Sequence, residues 1–380
     1  AIGSFTVVDE SVVKGSDVGT NFFLTVDSIG QSRAKCVTEL LRELNEEVAG
    51  SYVEEDPARL IDNDPDFFTS FSLIVATDLH ESYLLQLGRI CWKAKIPLVA
   101  VRTLGFFGFV RLVVPEHTVV ETHPDIVIDL RLDSPFPALR ECALNWPDFD
   151  SLDSMSHSHI PYPIILLKCL EEWKSAHQGT SPTRAHISEI KNIVRNKQRP
   201  GALDPENFEQ ALSNVHRVIS PSPLIPEAIQ KILNDPLTKD ITSETPDFWV
   251  LARAVYEFVS EEGEGRLPLP GSVPDVKADS ESYIQLQTVY RQKAREDYTS
   301  VHNRVRAILT KIDRPVDAIP TEEVERFCKN AAFLTVVRYR SLDEEYGTET
   351  ADQDLDGNMM YVVCLRAIGK FYELHRRYPG

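Results

Sequence analysis

Two aspartates stand where an α/β fold places its chemistry. Asp9 closes the apolar run "FTVV", and Asp78 closes "LIVAT". The carboxyl ends of parallel strands line a ligand crevice, so such a pair could hold a ribose and a magnesium ion. Short polar residues also end buried strands and cap the next turn with no ligand involved. Both accounts stay open on these residues alone. A polyphosphate needs charge-assisted donors, or a glycine-rich turn that opens a helix. The loop after Asp9, "ESVVKGSDVGTNFF", carries Lys14 as its single cation and no arginine. There is no Walker lysine motif and no G-x-S-x-G elbow. Gly105 and Gly108 of "LGFFGF" lie between two apolar runs, which predicts a hairpin or sheet turn and not a phosphate loop.

Other candidate groups are weaker. Cys36, Cys91, Cys142, Cys169, Cys328 and Cys364 are scattered and form no C-x-x-C pair. This is the pattern of reduced thiols in a cytoplasmic protein, with the nucleus as a second location. Cys36, Cys169 and Cys364 fall in helix-like apolar patterns, which predicts burial. His157 and His159 have the i, i+2 spacing of a chelate, but a zinc site needs three or four ligands and none is in view. "NWPDFDSLDSM" is acidic without the spacing of a calcium loop.

The elements that must position these groups change character along the chain. Residues 1 to about 115 alternate: "SFTVVD", "GSYVEE", "FSLIVATD", "IPLVAVRT" and "FGFVRLVVP" read as strands. "SIGQSRAKCVTELLRELN" and "ESYLLQLGRICWKA" read as helices, the first with Ser28 as its N-cap. That order predicts a largely parallel sheet. "FSLIVATD" is nearly continuous in apolar residues, as expected of a strand covered on both faces. From about residue 150 the period becomes helical. "YPIILLKCLEEWKSA", "PENFEQALSNVHRVI", "IPEAIQKILND", "TPDFWVLARAVYEFVSEEG", the long run from Asp279 to Ile312, and "TEEVERFCKNAAFLTVVRY" are separated by turn-rich stretches. An acidic loop, "DEEYGTETADQDLDGN", precedes a last helix.

Hydrophobic residues make up 42% of 380 and the formal net charge is −18. That composition supports a sizeable core and argues against nucleic acid or an anionic membrane as partner. No apolar run approaches a membrane span. The start, one residue before a strand, and the end at Pro-Gly have the look of a chain cut at both ends.

In order, "SFTVVD…NFFL…SIGQSRA…ELN", "LIVATD", "IPLVAVRTLGFFG", "ETHPD", "DLRLDSPFP" and "TPDFWVLARAVYEFV" resemble the regulatory subunits of the neddylation-activating enzyme, a branch of the ubiquitin-activating superfamily. The resemblance spans the whole chain. It implies an incomplete Rossmann-like pseudo-adenylation domain over residues 1–150, an inserted all-helical domain over 151–343, and an acidic loop and helix over 344–380 returning to the adenylation fold. It implies a heterodimer with a catalytic subunit. That partner would bind ATP and magnesium, adenylate a ubiquitin-like modifier and take it as a thioester. No cofactor is expected on this chain and no catalytic residue. Carried over by position, the ribose and magnesium aspartates are Asp9 and Asp78. The phosphate arginine falls on Thr20, the lysine on Arg33, and the asparagine after the magnesium aspartate on Leu79. The site thus resembles one kept for its shape. Alternatives are the regulatory subunit of a sumoylation-type enzyme and, behind it, an active adenylating enzyme.

One further segment could serve the partner. Pro274, Asp275, Ala278 and Asp279 lead into a helix on which Tyr283, Leu286 and Tyr290 share a face, with Asp279 or Ser280 as N-cap. As a docking segment the tyrosines would be its anchors. The same face would equally fill the core of the helical domain.

Overall fold

The computed structural model describes residues 2–121, 128–201, 204–219, 224–347, 358–375 and 377–379. It divides into two compact units, Ala1–His117 with Val337–Gly380, and Thr118–Val336. The helical unit is thus an insertion, but its boundary lies at residue 118 and not near 150. The reason is packing: Leu130, Leu132 and Leu139 are buried in the same core as Tyr162–Trp173.

In the first unit, β1 (Ser4–Val8) pairs in parallel with β2 (Ala49–Val53). A separate three-stranded sheet runs β3 (Ile74–Thr77), β4 (Leu98–Leu104) and β5 (Phe107–Val113). β3 and β4 are parallel, whereas β4 and β5 are antiparallel and close in register at Leu104↔Phe107. The expected largely parallel sheet is therefore two ladders, one of them mixed. The turn expected at "LGFFGF" is present, and Gly105 supplies its positive φ of 58°.

One face of the three-stranded sheet packs on the helix Glu81–Ala94. Leu98, Ala100 and Val113 meet Leu84, Leu87 and Cys91 there. Leu342 joins them, and its side chain lies so close to Gly88 that a Cβ at that position would meet it at 2.9 Å. The opposite face carries Val75 and Val110, which are 58% and 66% exposed. The expectation that β3 is covered on both faces is thus corrected: among the described residues only one side is packed.

Helix Arg33–Leu44 begins later than its apolar period predicts. Ser32 is the N-cap, its hydroxyl accepting the Lys35 N–H at 3.3 Å. Ser28 instead ends a short 3-10 turn, Val26–Ser28. Gly30, at φ 87°, breaks the helical path between them.

The second unit has two hydrophobic cores. One gathers the helices Pro137–Leu144, Tyr162–Ala176, Ile187–Lys197 and Glu206–Asn214 around Trp173 and Phe208. The other gathers Glu227–Leu233, Asp247–Ser260 and Thr321–Lys329 around Trp249 and Phe327. The 32-residue helix Ser280–Lys311 serves both, with Leu286 and Tyr290 in the first and Val301, Val305 and Leu309 in the second. The expected helix over "TEEVERFCKNAAFLTVVRY" stops at Lys329, and Thr335–Arg338 is a strand, where three β-branched residues succeed one another.

Candidate functional site

The Asp9 carboxylate is already in use. One oxygen accepts the Ser11 N–H at 2.8 Å and the other accepts Arg33 Nε at 2.5 Å. Arg33 opens its helix, and its guanidinium also lies 3.8 Å from Asp17. Asp17 in turn accepts the Lys14 N–H at 2.8 Å. Burial pushes the Asp9 carboxyl up, but Arg33 and the Ser11 N–H outweigh it and hold the group below the usual carboxylate range. Arg33 is correspondingly raised, chiefly by its hydrogen bond to Asp9. A ribose approaching Asp9 would have to displace a guanidinium.

Thr20 is exposed at the end of the short helix Gly15–Thr20, its hydroxyl donating back to the Ser16 and Asp17 carbonyls at 3.3 and 3.4 Å. A hydroxyl so placed offers no charge to a phosphate. Asp78 takes a left-handed φ of 50°. Its carboxylate accepts the Thr103 N–H at 2.8 Å and the Thr103 hydroxyl at 3.1 Å. That tether joins the end of β3 to β4, and Thr103 had no signal in the sequence beyond following an apolar run. His80, next but one after Asp78, stacks on Tyr372 at 5.5 Å. The structure therefore gathers Asp9, Arg33 and Asp17 into one ionic cluster and ties Asp78 to a different partner. No hydrogen bond or ion pair links the two aspartates among the described residues. These residues do not fit a nucleoside triphosphate.

The proposed docking face is corrected. Leu286 and Tyr290 are 0% and 1% exposed, and the Tyr290 hydroxyl donates to the Leu130 carbonyl at 2.6 Å. Tyr283 is half-buried against the same core and donates to the Val273 carbonyl at 3.2 Å. Ala278 packs there as well, and Pro274 is half-buried. Only Asp275 and Asp279 remain exposed, and Asp279 caps the helix by accepting the Ser282 N–H at 2.8 Å. The face fills a core because Leu286 and Tyr290 pack with Leu130 and Leu139, and the Phe136 ring meets Tyr290 edge-on at 5.7 Å; helical period alone could not say which.

Four of the thiols, Cys36, Cys91, Cys169 and Cys328, are buried, while Cys364 is exposed against expectation. Burial pushes Cys91 up to about 11 and Cys169 and Cys328 to about 12, far from thiolate at neutral pH. His157 is a core histidine stacked on Phe208 at 5.0 Å, lowered by burial, and no metal-ligand group of three occurs among the described residues.

The family model described as ThiF matches residues 1–144. Over its whole length the chain is 43% identical to the NEDD8-activating enzyme E1 regulatory subunit of Xenopus laevis, of which it spans 73%. It is 40% identical to the NEDD8-activating enzyme E1 regulatory subunit AXL of Arabidopsis thaliana, again spanning 73%. Among solved structures, Escherichia coli MccB aligns with a TM-score of 0.27 and 15% identity over 53% of this chain and 50% of that one, a likeness too slight to argue from. No helix among the described residues is long and apolar enough to cross a membrane. The chain belongs to the family of NEDD8-activating enzyme E1 regulatory subunits.

Proposed function

We propose that this chain is the non-catalytic half of a two-chain NEDD8-activating enzyme, pairing with a catalytic subunit that binds ATP and magnesium, adenylates the modifier and carries it as a thioester. The observation that carries this reading is the closed site. Arg33 occupies Asp9, Thr103 occupies Asp78, and Thr20 brings no charge where phosphate would lie. Charge-assisted donors do most of the work on a polyphosphate, so a chain that spends its own on internal pairs has little left for ATP. The partner role draws support from the open face of the three-stranded sheet. Val75 and Val110 are each more than half exposed, and an apolar surface of that kind is a site of association.

Two measurements test the reading. The isolated chain should show no modifier-dependent pyrophosphate exchange above buffer, while the catalytic subunit should form its modifier thioester faster when the chain is added. Exchange by the chain alone would refute the non-catalytic half. Val110→Asp, on an exposed strand position, should weaken capture of the catalytic subunit at least tenfold with the melting temperature unchanged. Undiminished capture would remove the sheet face from the interface and leave the closed site standing.

A further inference from the structure

In a chain of 58 carboxylates and 40 lysines and arginines, cations are expected to be paired. Arg253, Arg266, Arg304 and Arg314 of the helical unit all are. Not every cation is: Arg291, Arg295 and Lys329 are all exposed, none makes an ion pair or a side-chain hydrogen bond among the described residues, and all three line one groove of about 740 Å³. One wall is the stripe Gln287, Arg291, Arg295 and Thr299 of the long helix; the facing wall is the helix Thr321–Lys329. The groove's single carboxylate, Glu325, pairs with none of them.

The floor is the loop Leu269–Val273. It is pressed against the long helix: a Cβ on Gly271, at φ 73°, would lie 2.9 Å from the Ala294 Cβ. The Leu269 N–H is anchored on the buried Asp297 carboxylate at 3.0 Å. The groove is therefore built on a fixed backbone. Tyr298, half-buried between the two walls, stacks on His302 at 5.6 Å.

Like charges at i and i+4 on a helix repel, so Arg291 and Arg295 cost the free helix stability unless something negative lies across them. Four residues of helix advance about 6 Å. Two residues of extended chain advance about 6.8 Å, with both side chains on one side. The two guanidiniums therefore match carboxylates on alternate residues of an extended peptide, and each can take a carboxylate bidentately. Lys329 adds a point charge from the other wall.

We propose that this groove binds an acidic, extended peptide segment of a partner protein, read by carboxylates at every second position. Nucleic acid is disfavoured as the occupant because the chain as a whole repels a long polyanion, and the occupant needs only two or three charges at short range.

The test uses the full chain and two fluorescent ten-residue peptides of one composition, one with aspartate at every second position through its centre and one with the same aspartates clustered at an end. The alternating peptide should bind saturably, at least fivefold tighter than the clustered one. Arg291→Ser with Arg295→Ser should weaken it at least tenfold, while Lys239→Ser, on a remote exposed cation, should leave it unchanged. The serine replacements are on the surface, and the melting temperature is measured beside them to confirm the fold. Equal binding of the two peptides, indifference to the arginine pair, or tighter binding of a ten-nucleotide single-stranded DNA would each overturn the proposal.

Discussion

Of the places where aspartate meets arginine in this molecule, two stand in contrasting surroundings that give the meetings different meanings. At Asp9 and Arg33 the side chains are 23% and 34% exposed, and the pair sits at a strand end open to water. In the helical unit, Asp133, Arg266 and Asp297 are 4%, 11% and 4% exposed. There Arg266 pairs with Asp133, Asp297 pairs with Lys293 at 2.7 Å, and Arg131 donates to the Leu267 carbonyl. Arg131 holds a left-handed φ of 54°, and its Nε lies 3.1 Å from Asp129 at an angle that makes no hydrogen bond. Burial lowers its pKa, and Asp129 only partly offsets that. A strained backbone and an unsatisfied buried donor persist only where the surroundings over-determine them. The lesson is that the exposed pair closes a site and is dispensable to the fold, whereas the buried cluster fixes where the segments Leu130–Asp133 and Arg266–Leu269 lie and is not.

The strongest way to break this comparison is to remove one buried partner. Arg266→Met leaves Asp133 buried without its guanidinium and should destabilise the chain by about 3–5 kcal/mol. Urea unfolding followed by circular dichroism measures it, and a loss below about 1 kcal/mol would put the buried cluster on a par with the surface pair.

Tyr290→Ala is of similar size and sharpens the same point for packing. It empties a fully buried aromatic position and strands the Leu130 carbonyl. The expected loss is about 3–5 kcal/mol in the isolated chain. Tyr290→Phe keeps the volume and should cost only about 0.5–1.5 kcal/mol, plus any penalty for the unpaired carbonyl. If Tyr290→Ala instead left the melting temperature unchanged and weakened capture of the catalytic subunit, the docking account would return.

The sequence made the helical unit legible wherever period and punctuation agreed. Tyr162–Ala176, Asp247–Ser260 and Ser280–Lys311 follow their apolar spacing, and Asp279 caps as its type predicts. The helices Pro137–Leu144 and Ile187–Lys197 escaped because they are short, 8 and 11 residues, so that few apolar positions mark their period. The direction of β5 could be read from Gly105, but the division of the sheet could not, since strand neighbours are set by tertiary packing and not by local pattern. At the candidate site, Asp9 and Arg33 were legible as residue types. Their contact was not, because it joins residues 24 apart through a loop whose path depends on Gly30. The partners of Leu286 and Tyr290 were hidden for the same reason: a helical face says that something covers it, not what.

The smallest expected effect is at Arg33, and its pH dependence identifies it. The folded pKa of Asp9 lies below the ordinary carboxylate value, so the unfolded chain binds the proton more tightly. The stabilisation is fully present above the unfolded carboxylate pKa of about 3.9 and is lost as pH falls through the lower folded value. Because both side chains are partly solvated, the pair should contribute less than about 1 kcal/mol at neutral pH. Arg33→Ala should therefore lower stability slightly at pH 7 and hardly at all near pH 2, so that the difference between variant and parent shrinks as acid is added. Parallel urea titrations at pH 7, 5 and 3 follow that convergence. A gap that widened in acid would mean that Arg33 acts through something other than the Asp9 carboxylate. A loss of several kcal/mol at pH 7 would show the site to be a piece of the fold, as the buried cluster is, and not a closed door on its surface.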